Sequence, residues 1–304
     1  MRCFYMLLIA LFSLNAVNAQ WINQQSGTTN SLFSVRFSND KVGYIIGGTG
    51  TILKTIDKGL NWLSQISGTK KTLLSVFPID SNVCYIVGDS GTILKTINGG
   101  ANWMQKLSGT SESLQSVFFL DSNTGIVVGT NGIVLTTTDG GQNWVPILSG
   151  TIASLKSLCF TSRSNGYMMG LPTHIYRTTD SGLHWIELGN DWIQQITYSY
   201  DQGIHSIFFT DSLNGYAVGN SAAYLQGGTY IILDRFVTST KNTGSSWNVQ
   251  HDFNCEYGTL FFIDTEKGYA VGSKGAIMRT TDSGISWIPQ TSGTSSSLNS
   301  VFFY

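Results

Sequence analysis

Tryptophan sets a ruler along this chain. Trp21, Trp62, Trp103, Trp144, Trp185, Trp247 and Trp287 are separated by 41, 41, 41, 41, 62 and 40 residues, and the same text recurs between them. One copy runs from Ser108 to Trp144. It divides into four short runs rich in apolar and β-branched residues: Leu114 to Leu120, Gly125 to Gly129, Gly132 to Thr138 and Trp144 to Leu148. Gly, Asn, Asp and Ser fill the breaks, as they do where strands turn. The runs are too short for helices and nearly continuous in apolar character, so both faces of each sheet must be covered. Four-stranded sheets repeating at about 40 residues meet that demand by packing radially. The spacing predicts an all-β fold, a β-propeller of four-stranded antiparallel blades.

A second signature sits between the third and fourth runs. It reads T-x-D-x-G-x-x-W at Asp57, Asp139, Asp180 and Asp282, with Asn in the same place at Asn98 and Asn242. An Asx side chain accepts backbone N–H bonds within its own turn, Gly admits a positive φ, and Trp buries a large apolar area over the turn. All six Asx residues are therefore expected to be structural. The motif resembles the Asp-box (BNR-type) repeat. Its flanking text, Gly43-Tyr44-Ile45-Ile46-Gly47 followed by Gly50-Thr51-Ile52-Leu53-Lys54-Thr55, is similar to the photosystem II stability/assembly-factor type of propeller. The resemblance spans the chain in six copies and implies the propeller fold. Propellers of that type include photosynthetic assembly factors and many exported bacterial proteins. Asp boxes also occur in sialidases and xyloglucan hydrolases, away from the catalytic centre. No residue here specifies photosynthesis.

The two ends carry partial repeats. Trp21 to Ser26 reads as a fourth, outermost strand with no blade before it, and Leu298 to Tyr304 as a first, innermost strand. The expectation is six complete blades plus parts of a seventh, seven-bladed in the full-length protein, with roughly 20 residues of the form G-Y-x-V-G-x-x-G-x-I-x-K-T-x-D-x-G absent at the C-terminus. Residues 1–19 read as a signal peptide: Arg2, an apolar stretch from Tyr5 to Leu14, and Val17-Asn18-Ala19 at the cleavage position. The domain is then 20–304, in an exported protein that is periplasmic, on the cell surface or extracellular.

Composition narrows the function. The chain is 41% apolar and 12% charged, with net charge −1. That excludes a disordered chain and a basic nucleic-acid binder. No stretch reaches the roughly 20 apolar residues of a membrane span. No Cys/His spacing suggests a metal and no motif a cofactor. Cys84 and Cys159 lie in strand-like runs and read as small buried hydrophobes; Cys255 lies in a polar segment. A sialidase would need an arginine cluster. Beyond the leader the arginines are Arg36, Arg163, Arg177, Arg235 and Arg279; Arg177 and Arg279 share a third-strand position with Lys54 and Lys95, where local pairing near the Asp-box end is expected.

The one long interval locates the candidate site. Its extra residues enter before Ile207, around Asn190 to Asp201, and after Gly219, around Ser221 to Arg235. Both fall in loops on one face, the top, of blade 5. The next top linker, from His251 to Tyr257, and Leu171-Pro172-Thr173-His174 of blade 4 are irregular too. Trp192, Tyr198, Tyr200, Tyr224, Tyr230 and Tyr257, with His251 and Glu256, are the candidate binding residues, a platform for a protein partner or a glycan. The leading expectation is a binding or assembly scaffold without catalytic residues. The alternatives are a glycoside hydrolase using carboxylates of the inserts, which needs two at a defined separation, and a passive module of a longer surface protein.

Overall fold

The computed structural model describes residues 7–10, 21–172, 174–188, 203–225, 229–250 and 256–304, with backbone alone for 7–10 and 221–234. It holds six four-stranded antiparallel sheets, each with its strands in sequence order. Blade 3 is representative: Leu114–Phe119, Gly125–Gly129, Val134–Thr137 and Val145–Ile147. The other blades begin at Leu32, Leu73, Leu155, Gly203 and Tyr257. Every residue of the Gly125–Gly129 strand is buried, because neighbouring blades cover both faces of the sheet. The three-residue outer strand exposes Val145 and Pro146 and half-buries Ile147.

The repeated aromatics form one lattice between blades. A second-strand Tyr stacks on the first-strand Phe of the next blade: Tyr85 on Phe119 at 4.0 Å, Tyr167 on Phe209 at 3.5 Å and Tyr216 on Phe262 at 3.8 Å between centroids. The Trp of that next blade meets the same Phe edge-on, as Trp144 does Phe119 at 6.0 Å. Large aromatics at these joints supply both buried area and preferred ring geometry.

Both partial repeats enter this lattice between blades 6 and 1. Tyr269 of blade 6 stacks on Phe303 at 4.5 Å, and Trp21 meets Phe303 and Tyr269 edge-on at 5.9 and 5.6 Å. The Ser300 hydroxyl accepts the Val35 N–H at 3.3 Å, as the Ser75 hydroxyl accepts that of Val117 at 3.3 Å. Leu7–Ala10 pairs antiparallel with Trp21–Gln24. Ile9 faces Ile22, the register in which Arg279 faces Ile288 in blade 6. The ring thus has a seventh sector holding the terminal segments.

Turns divide into two faces. On the bottom, each first-to-second hairpin bonds an Asp-box turn, as in Gly99 N–H to Asn82 O at 2.8 Å and Gly140 N–H to Asn123 O at 2.9 Å. On the top, each regular second-to-third turn bonds the linker to the next blade: Gly50 N–H to Lys71 O, Gly91 N–H to Glu112 O and Gly132 N–H to Ala153 O, at 2.7–2.9 Å. At the axis, Arg36, Phe77, Phe118, Cys159, Phe208 and Phe261 occupy one first-strand position, each in register with the second residue of its second strand. Phe302 completes this ring, 5.1 Å from Phe261 and 6.3 Å from Phe37.

Candidate functional site

The Asp boxes are closed local networks. In the first, the Asp57 carboxylate accepts the Asn61 N–H at 2.9 Å and the Thr55 hydroxyl at 2.7 Å, while Thr55 Oγ1 accepts the Gly59 N–H at 2.9 Å. Asn98 reproduces this with its amide oxygen, taking the Asn102 N–H at 2.9 Å and the Thr96 hydroxyl at 3.0 Å. Asp139, Asp180, Asn242 and Asp282 make the same bonds to their own turns. These bonds serve the turns themselves.

These bonds hold the acids below their ordinary range. The Asn143 N–H and side-chain amide and the Thr137 hydroxyl bring Asp139 to about 2. At Asp180 burial pushes upward, but bonds from His184 and Thr178 outweigh it and bring the acid to about 2. Asn61 lowers Asp57, and Ser286 lowers Asp282. A depressed folded pKa gives stability that is present above about pH 4 and is lost as pH falls toward 2. Because Asn already serves in two boxes, replacing Asp57, Asp139, Asp180 and Asp282 together by Asn should keep the turns and flatten the fall of thermal midpoint between about pH 4 and 2. Equal acid slopes in variant and wild type would contradict this assignment.

Lys54 and Lys95 pair locally, as expected. Each Nζ donates to a carbonyl in the next blade's Asp-box turn, Gly99 O and Gly140 O, both at 2.7 Å.

The top face is locked in the regular blades. Thr49, Ser90, Asn131 and Lys274 sit at φ 53–56° and are each followed by a Gly at φ 65–71°. A Cβ on Gly50, Gly91, Gly132 or Gly275 would fall 1.9–2.0 Å from the carbonyl oxygen of Thr69, Thr110, Thr151 or Thr294 in the following S-G-T linker. Turn and linker are thus fitted to each other through a backbone contact that only glycine permits. In blades 4 and 5 both halves of this fit are absent. Blade 4 has Leu171-Pro172-Thr173 as its turn and the 189–202 segment as its linker. Blade 5 has an extended hairpin, Gly215–Leu225 with Thr229–Thr240, and the 251–256 segment.

That hairpin corrects the expectation of a loop around Ser221 to Arg235. Its register runs from Gly215 opposite Thr240 to Leu225 opposite Thr229, with an irregularity at Ser221/Ala222 where it leaves the blade. The first strand of the blade pairs only as far as Asn220, and the outer strand begins opposite Val237. Among the described strands, 221–225 and 229–236 therefore have ladder partners only in each other and in 219–220.

The predicted site residues are distributed as follows. Trp192, Tyr198, Tyr200 and His251 lie outside the described residues. Tyr224 and Tyr230 are directly opposite each other near the hairpin tip. Glu256 stands at its base: Asn220, only 1% exposed, donates its amide N–H to Glu256 Oε1 at 2.9 Å, and its Oδ1 accepts from His205 Nε2 at 3.2 Å. Tyr257, in contrast, is 5% exposed in the core, opposite Gly272 where Leu114 stands opposite Gly129. His174 is bound to Glu187 at 2.7 Å. Cys84 is buried as expected, but Cys159 is half-buried at the axis. Among the described residues no group of three or more His, Cys, Asp or Glu could hold a metal ion.

Two features escaped the sequence reading. Ile66, Leu107 and Leu148, each before an S-G-T linker, are almost wholly exposed; apolar character at that repeated position was the available signal. Arg36 is the only charged residue at its axial position, and aligning the first strands alone would have shown it.

Comparison with known proteins agrees with this geometry. The profile of the family described as Photosynthesis system II assembly factor YCF48 matches residues 14–105, 64–152 and 109–191, together more than half of the chain. No curated protein matches. Among solved structures, YCF48 bound to D1 peptide is similar at a TM-score of 0.70 and 19% identity, over 92% of this chain and 88% of that one. YCF48 from Cyanidioschyzon merolae gives 0.64 and 19%, over 88% and 87%. The Niastella koreensis GH74 enzyme gives 0.69 and 17%; 88% of this chain spans 49% of that one.

Proposed function

The chain belongs to the YCF48 photosystem II assembly-factor family, and on that footing we propose that it is an exported scaffold that binds a protein partner on the top face of blades 4–6. One observation carries the reading: the fit between turn glycine and S-G-T linker is lost in two adjacent blades, and the linker after blade 4 and the hairpin of blade 5 are both longer than their regular counterparts. The protruding hairpin adds a chemistry for recognition. Strand residues without an outer ladder partner present N–H and C=O groups that an extended peptide can pair with. Tyr224 and Tyr230 at the tip supply aromatic anchors of the kind that dominate binding energy. A YCF48 structure is described as bound to a D1 peptide, which supports a protein as the class of ligand. Arg2 and the apolar stretch from Tyr5 to Leu14 support export; cleavage after Ala19 would remove the Leu7–Ala10 strand from the seventh sector.

Selection of displayed peptides on the immobilised protein tests this. Enriched sequences should be extended segments binding with dissociation constants of about 1–100 μM, the range of modest peptide affinity. Failure to enrich any sequence, together with release of sugar from xyloglucan, would replace the reading with glycoside hydrolysis.

A further inference from the structure

The axial ring contains one cation, Arg36, without an ion-pair partner among the described residues. Arg36 stands where four of the other first strands have Phe, one has Cys159, and the C-terminal segment, which forms no strand, has Phe302. Its guanidinium carbon lies 5.7 Å from the centroid of Phe77 and 5.6 Å from that of Phe302, so an aromatic ring flanks it on each side. Among the described residues no carboxylate makes an ion pair with it. Cys159 is near enough across the axis to interact electrostatically with it. Burial pushes that thiol up to about 12, so it stays neutral and offers no counter-charge. Burial also lowers the guanidinium pKa from its ordinary value, the mark of a charge poorly solvated where it stands. Arg36 and its ring neighbours are nevertheless only partly buried, so a solute can reach them.

We propose that the partly exposed guanidinium of Arg36, between Phe77 and Phe302, binds a carboxylate carried on an aromatic or branched apolar group. The planar guanidinium accommodates a carboxylate through paired N–H···O bonds. The phenylalanine ring selects against a small hydrated anion and for an apolar body beside the charge. Arg36 is next to last in the strand Leu32–Phe37, whose far end leads into the bottom hairpin, so this site belongs to the Asp-box half of the ring. It is separate from the top face and does not depend on the partner proposed there.

Calorimetric titration with 3-phenylpropionate, and with 3-phenylpropan-1-ol as the neutral counterpart, reads the site. The acid should bind with a dissociation constant below about 1 mM, and the alcohol at least about tenfold more weakly. Arg36→Met should lose the acid's advantage over the alcohol, and Arg36→Lys should keep part of it. If Arg36→Met does not fold, Phe77→Leu is used, which keeps the cation and should weaken the acid several-fold. A parallel titration with Gly-Gly-Phe and its C-terminal amide distinguishes a free acid from a peptide end: in either case binding must need the carboxylate. Equal binding of acid and alcohol, unchanged affinity in Arg36→Met, or no binding of either acid would overturn the proposal.

Discussion

Ending the chain after Ser297 is expected to lower the thermal midpoint by about 10 °C or more, for a loss of roughly 5 kcal/mol in a domain of this size. The removed segment is short, but it fills the seventh sector. Leu298, Val301 and Phe303 are all buried, in one cluster with Tyr269, Val271 and Ile277. Full burial of a large apolar side chain contributes about 1.5–3 kcal/mol, so three contribute about 5–9 kcal/mol, comparable with the whole stability of many domains. Truncation also strips the Val35 N–H of its Ser300 acceptor and the Leu32 carbonyl of its Asn299 donor. Blade 1 then loses the neighbour against which Phe37 lies. Removal of Tyr304 alone is the control: it is 75% exposed and should leave the midpoint unchanged. Thermal unfolding of the two truncations side by side gives the answer, and equal midpoints would mean that the seventh sector contributes nothing to closure.

Tyr85→Ala should cost about 4 kcal/mol, as large-to-small changes of aromatic core residues do. Tyr85 is wholly buried, stacks on Phe119 at 4.0 Å and donates its hydroxyl to Gly140 O at 2.6 Å. It joins blade 2 to the Asp-box turn of blade 3, so its loss opens a cavity at a joint between blades. Tyr85→Phe isolates the hydroxyl. Gly140 O still accepts from Lys95 at 2.7 Å, so no carbonyl is orphaned and the cost should be only about 1 kcal/mol. Denaturant unfolding of both variants separates packing from hydrogen bonding. Similar losses in the two would show that the stacked ring is not what holds the joint.

The fold was legible because each blade is a copy of one text, so the Trp spacing and the Asx-Gly turn repeat the same local physics six times. The seventh sector was legible for the same reason: Trp21 and the Leu298–Tyr304 run match the ends of a blade, and the lattice of Tyr269, Phe303 and Trp21 places them there. Where the text departs from the copy, sequence gave location without form. The 13 or so residues after Gly219 read as a loop, although the apolar runs Ala222 to Leu225 and Tyr230 to Leu233 on either side of Gly227-Gly228 also carry a hairpin signal. Tyr257 read as a surface aromatic because the S-G-T linker that would have fixed its register is missing. Its pairing with Gly272 shows it to be the core residue that is Leu in blades 1 to 4. Arg36 stayed hidden because a charge in an apolar strand is visible as unusual only when the six first strands and the C-terminal segment are set side by side.

The proposed recognition surface lies where the regular turns stop, in blades 4 and 5. The direct test replaces residues 221–234 by a Ser-Lys-Gly turn like that of blade 6 and measures peptide affinity against wild type, with an equal change to a regular blade as control. Loss of binding by about tenfold or more in the trimmed hairpin alone is the expected result. Undiminished binding to a folded, trimmed protein would contradict the assignment of the partner to this face.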